Sequence, residues 1–117
     1  MNIKTEKYFL PVKINNSFNI LACWLHKDSE DLYYDYIGQF YKFLLNNIEY
    51  LNQLSILIGD FNSNIIFDYR KEFAHAFCSK ILKDFNLYSA YHILNNIQEG
   101  KEKDFTFYLY RKIEKAY

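Results

Sequence analysis

The stretch Leu54-Ser55-Ile56-Leu57-Ile58-Gly59-Asp60-Phe61-Asn62-Ser63-Asn64 decides how the rest of the chain is read. Its first half is short, apolar and rich in β-branched residues, and Gly59 ends it. A strand covered on both faces has this composition, because neither side has to stay polar. The second half changes to small and polar side chains. Residues i and i+2 of an extended backbone point the same way. The Asp60 carboxylate and the Asn62 amide are therefore expected to project together from the end of the strand, where α/β sheets receive ligands. Gly59 permits close approach of backbone or ligand just before them. The same letters also spell an Asx-turn begun by Asp60 and closed by Asn62, and both readings stay open.

Working outward, Tyr8 to Ile14 reads as a strand, with Pro11 marking it as an edge. Asn15-Asn16-Ser17 is a turn signal, and Phe18 to Leu25 is a second strand, so the two make a hairpin. A helix is expected from Asp28 or Ser29 to about Asn47, with Tyr33, Ile37, Phe40, Tyr41, Leu44 and Ile48 recurring at helical spacing. It leads into the central strand, Leu54 to Gly59. Lys71 to Asp84 reads as a second helix, with Phe73 or Ala74, Phe77, Cys78, Ile81 and Phe85 inward and Asn86 as terminator. Leu87 to Tyr91 and Phe105 to Tyr110 read as strands, on either side of a polar loop around Gly100. The order β-β-α-β-α-β-β predicts one α/β (α+β) domain over residues 1–117, with a mixed sheet and parallel crossovers around the central strand.

The totals narrow the function. Half of the 117 residues are apolar and 21% are aromatic, too apolar for disorder. Fourteen basic and fourteen acidic residues cancel, so the chain lacks the basic excess of a polyanion binder. The twelve tyrosines therefore read as packing and interface rather than as a base-stacking groove. Cys23 and Cys78 are isolated in apolar patterns and read as reduced core thiols, with no disulfide framework and no zinc spacing. The N-terminus is charged and lacks an apolar signal region. No run approaches the roughly 18 apolar residues of a membrane span. A cytoplasmic protein without a membrane partner is the expectation.

Gly59-Asp60-Phe61-Asn62-Ser63 resembles the GDFN segment of the endonuclease/exonuclease/phosphatase superfamily, the metal-dependent phosphodiesterases that include DNase I-like nucleases. Phe18 to Trp24 is similar to that family's apolar strand ending in an aromatic. Leu87-Tyr88-Ser89-Ala90-Tyr91-His92 and Asp104-Phe105-Thr106-Phe107-Tyr108 resemble its SAYH and TFY segments in one bacterial branch. The likeness runs along nearly all of the chain but covers only the C-terminal half of a family domain. It implies half of a DNase I-like four-layer sandwich, a mixed sheet with helices on one face.

The resemblance also implies roles. Asp60 would orient or deprotonate the attacking water and approach a metal, with Mg²⁺ as the implied cofactor, and Asn62 would hydrogen-bond the scissile phosphate. Trp24, Ser63 and Asn64 would meet the phosphodiester or nucleic-acid substrate. Trp24 is equally readable as a core plug, and Lys27 as a solvated loop lysine. His26 follows the second strand at the Asp60 end, His75 sits at the rim of the core, and His92 is placed to hydrogen-bond a loop. The family's metal-binding glutamate and its catalytic Asp-His segment have no counterpart here, so the isolated chain is expected to be catalytically incompetent. Half a sandwich leaves an apolar sheet face uncovered. That points to a homo-oligomer or to a complementing N-terminal half. A non-catalytic oligomerising or binding module is the alternative function.

Overall fold

The computed structural model describes residues 7–27, 34–68 and 74–106. Strand β1 (Phe9–Ile14) pairs antiparallel with β2 (Phe18–Trp24), which pairs parallel with β3 (Ile56–Asp60), in the order β1-β2-β3. The hairpin turns where expected. Asn15 and Asn16 take left-handed φ values of 49° and 53°, conformations that asparagine tolerates. The Ser17 N–H closes the turn on the Ile14 carbonyl at 2.9 Å. Pro11 lies in β1, an outer strand, where a missing N–H costs no ladder bond on the open side.

Helix α1 (Ile37–Asn46) and a 3₁₀ turn (Ile48–Gln53) make the crossover between β2 and β3. A connection of this length is what a parallel pair requires. Asn47 ends the helix, its side-chain amide donating to the Phe43 carbonyl at 3.0 Å. Helix α2 (His75–Asp84) begins after Ala74, which has no side chain able to cap it. Asp68 does so from across the loop: its carboxylate accepts the His75 and Ala76 backbone N–H groups at 2.6 and 3.0 Å. The left-handed Asn86 terminates α2, with Leu87 N–H returning to Leu82 O and Asn86 N–H to Lys83 O. That pair of bonds is a Schellman cap.

The helices lie on one face of the sheet and form the core with it. Phe9, Leu21, Cys23 and Leu25 meet Phe40, Phe43 and Leu44 of α1 and Cys78 of α2. The Phe9 and Phe43 rings stack at 4.3 Å. Leu21, Phe43 and Leu44 are completely buried, and each such side chain contributes about 1.5–3 kcal/mol. The helix-period readings hold in type but not in every position. Phe43, absent from the expected stripe, is at the centre of the core, while Phe77 is half exposed.

Three expectations are corrected. Leu54 to Gly59 is neither central nor covered on both faces: β2 is the middle strand and β3 an outer one. Its Leu57 points to the core, while Ile56 and Ile58 face outward. Leu87 to Tyr91 is not a strand. Residues 87–89 take no regular structure and helix α3 (Ala90–Asn95) follows, because a short apolar run has no decisive period and Ala90, Ile93 and Leu94 continue readily as helix. Phe105 and Thr106 are not in a strand either. The rest of that expected strand, the N-cap at Asp28 or Ser29, Tyr33 and the helix start from Lys71 to Phe73 lie outside the described residues. What stands is a mixed α+β arrangement with a three-stranded sheet.

Among the described residues, no layer lies on the outer sheet face. Register and alternation place Leu10, Val12 and Ile14 of β1 beside Phe18, Ile20, Ala22 and Trp24 of β2 and Ile56 and Ile58 of β3. Leu10 is 62% exposed, Ile58 58% and Trp24 54%. Along these strands the apolar residues do not alternate with polar ones, so both faces of the sheet are apolar, and the described residues cover only one. Among the described residues no helix is long and apolar enough to cross a membrane.

Candidate functional site at the end of the parallel strands

Parallel pairing sets the C-terminal ends of β2 and β3 side by side, with Trp24 the register partner of Asp60. Gly59 makes this closeness possible. Its φ is +154°, and a Cβ there would run into the Cys23 carbonyl oxygen and approach the Cys23 carbon and nitrogen to 2.8 and 2.9 Å. The strand continues one step further, with Leu25 N–H donating to Asp60 O at 2.8 Å.

Beyond Asp60 the extended backbone ends. Asn62 adopts a left-handed φ of 43°, so the rule that i and i+2 point alike no longer applies. The Asx-turn forms instead: Asp60 Oδ1 accepts the Asn62 backbone N–H at 3.1 Å. The Asn62 side chain donates to the Leu25 carbonyl at 2.9 Å and ties the turn to the loop after β2. Asp60 and Asn62 are thus neighbours through a turn rather than through parallel side chains. Both are exposed, and the Asn62 amide has a second N–H and an acceptor oxygen beyond the bond to Leu25.

Trp24 is no core plug. It stands half exposed at the corner of the outer face, with the His26 ring 4.3 Å away and the Tyr8 ring 6.0 Å away. Tyr8 meets His26 edge-on at 3.9 Å. The His26 Nδ1 lies 2.8 Å from the Lys27 carbonyl. A carbonyl only accepts, so Nδ1 carries the proton and Nε2 is an acceptor. That Nε2 is buried and has no hydrogen-bond partner among the described residues. His26 stands at the Asp60 end as its place after β2 implies; spacing alone did not couple Tyr8 to this corner, and the antiparallel register of β1 does.

Ser63 and Asn64, expected at the substrate, turn the other way. The Ser63 hydroxyl meets His75 Nδ1 at 2.9 Å. Asn64 accepts the Ile66 N–H at 3.2 Å and donates to Glu102 at 3.4 Å. They brace the loop against a second polar cluster. His92 bridges Ser89 and Glu102, both at 2.6 Å, which is the loop contact expected of it. Glu102 also accepts the Gly100 N–H at 2.9 Å. Burial raises the Glu102 pKa, but the bonds from Gly100, His92 and Asn64 outweigh it and hold the carboxyl down at about 2. Glu99 is likewise lowered: burial opposes, while the Ser79 hydroxyl and the Lys83 charge prevail. Burial lowers His75 despite the nearby Glu99, Asp68 and Glu102, so its ring favours the neutral form. His75, Ser79 and His92 edge a cavity of about 650 Å³ whose wall includes Phe40, Phe61 and Leu82.

The described residues do not make a Mg²⁺ site. Such a site takes one or two carboxylates, waters and substrate oxygens in octahedral order. Asp60 is a single carboxylate with one oxygen already accepting a backbone N–H. Among the described residues no group of three or more His, Cys, Asp or Glu side chains is placed to hold a metal. Neither thiol adds a ligand: burial first, and the negative charge of Asp60 for Cys23 or Asp68 for Cys78, push both up to about 12. No family model, no curated protein and no solved structure matches this chain.

Proposed function

We propose that this chain is the phosphate-facing half of a phosphodiesterase-like site of the endonuclease/exonuclease/phosphatase type, and that it is catalytically silent by itself. The observation that carries this reading is the Asp60–Asn62 turn, set at the C-terminal ends of two parallel strands beside Trp24 and braced by Leu25. A phosphodiester there would accept the second Asn62 N–H, and a base or sugar would lie against Trp24. Asp60 would hold a water against the phosphorus. The single carboxylate explains the silence, because charge on the phosphoryl oxygens goes uncompensated. With formal net charge zero, binding to a polyanion is expected to be weak and only shallowly salt-dependent, because few cations meet the phosphates.

The test has two arms. A dinucleoside phosphate titrated against the isotope-labelled chain should shift the amides of residues 60–64 and the Trp24 indole, and Asn62→Ala should remove those shifts. Absence of any response there overturns the binding half of the proposal. Hydrolysis of an activated phosphodiester with Mg²⁺ or Mn²⁺ should stay at the buffer rate. Turnover that disappears in Asp60→Ala overturns the silent half. A second reading, a non-catalytic oligomerising or binding module, draws its support from the uncovered apolar face of the sheet.

A further inference from the structure

We infer that the outer sheet face is a homodimer interface, closed against the same face of a second copy of this chain. The inference stands on the sheet alone and is independent of the phosphodiester reading.

Four observations lead to it. The face is continuous, because register puts Leu10, Ala22 and Ile58 in one row and Val12, Ile20 and Ile56 in the next. Leu10, Val12, Ile14, Phe18, Trp24, Ile56 and Ile58 on it are large and exposed, and a monomer in water rarely leaves such a patch open. The only charged side chain that register places on it is Asp60, at the corner. A partner of strong charge has nothing to grip there, whereas a second uncharged apolar face is complementary to it. The covered area also suits a dimer. With strands about 4.8 Å apart and about 3.3 Å per residue, strands of six, seven and five residues project roughly 285 Å², and side-chain relief about doubles it in accessible surface. Two faces then bury about 1,100 Å², above the roughly 1,000 Å² that a specific interface has to clear.

Stacking face to face is favoured over pairing at the β1 edge. Pro11 interrupts the row of N–H groups along β1, which blunts strand addition there. Face stacking at about 10 Å leaves the strand ends, and hence the Asp60 turn, at the rim.

Sedimentation velocity on the whole chain at micromolar concentrations tests this. Twice the chain mass is expected, and Ile58→Glu, which places a charge on the β3 side of the face, should weaken dimerisation by at least about 30-fold. Leu94→Glu, on the 82% exposed α3 position, should leave it unchanged. Trp24, the only tryptophan, should shift its emission to the red as the dimer dissociates on dilution. Should Ile58→Glu fail to fold by circular dichroism, the neutral Leu10→Gln is read in its place, with a smaller loss expected. A monomer across the micromolar range overturns the inference. So does a dimer insensitive to both face variants, or one abolished by Leu94→Glu.

Discussion

Replacing Gly59 by alanine tests the joint between the sheet and the candidate site. The added methyl has no room: it meets the Cys23 carbonyl oxygen, with the Cys23 carbon at 2.8 Å and nitrogen at 2.9 Å. Those are backbone atoms of the middle strand and cannot swing aside as a side-chain tip does. Forcing β3 away from β2 costs about 1–3 kcal/mol for the overpacking. It also weakens the Leu25-to-Asp60 ladder bond, worth about 1 kcal/mol, and adds about 1 kcal/mol for alanine at a positive φ. The stiffer unfolded chain returns about 0.4–1 kcal/mol. A net loss of about 3 kcal/mol is expected, a large share of the roughly 5–15 kcal/mol that holds a domain of this size. Urea denaturation followed by Trp24 fluorescence measures it. Gly100→Ala is the comparison. There the added methyl meets Ile65 Cγ2 at 2.6 Å, a side-chain end that can move, so its loss should be smaller, about 1–2 kcal/mol. A Gly59→Ala loss under about 1 kcal/mol, or one no larger than that of Gly100→Ala, refutes the reasoning.

Acid should destabilise the chain in two stages. His75 is held below its ordinary 6.5, so the unfolded state takes up a proton first and stability falls as pH drops below that value. Glu102 falls from an ordinary 4.5 to about 2, so its contribution is full above 4.5 and is lost as pH falls toward 2. Because the Glu102 side chain is partly solvated, about 1 kcal/mol is expected for the second stage. Glu102→Gln should flatten it in pH-dependent denaturation curves; a second stage that survives the substitution would exclude Glu102 as its source. Cys23 and Cys78, buried and held up at about 12, should resist an alkylating reagent at neutral pH and react within minutes in denaturant. Labelling of either in the native state at the denatured rate would contradict their burial.

Much of the sheet was legible in the chain because local signals and global packing agree there. Asn15-Asn16 turns the hairpin, Pro11 marks an outer strand, and the helical segment between β2 and β3 supplies the crossover that a parallel pair needs. Asn86 ended α2 as read, since asparagine tolerates the left-handed cap. The failures are equally local. Ile56-Leu57-Ile58 is apolar on both sides, which sequence reading equates with burial on both sides. In the fold the described residues leave one side bare, and apolar composition does not distinguish a covered face from an open one. Leu87 to Tyr91 was too short for periodicity to separate strand from helix. At the candidate site, the alternation rule placed Asp60 and Asn62 together, but a left-handed Asn62 made them neighbours by a turn. The brace of Asn64 by Glu102, and of α2 by Asp68, spans residues whose meeting depends on the tertiary fold.

The uncovered sheet face is the claim on which most else turns, since it decides whether the chain stands alone. Isotope-filtered nuclear Overhauser spectra on an equal mixture of labelled and unlabelled chain observe it directly. Cross-peaks between protomers are expected among the methyl groups of Leu10, Val12, Ile20, Ile56 and Ile58. Inter-protomer cross-peaks confined to α2 and α3, or none at all at millimolar concentration, would contradict it.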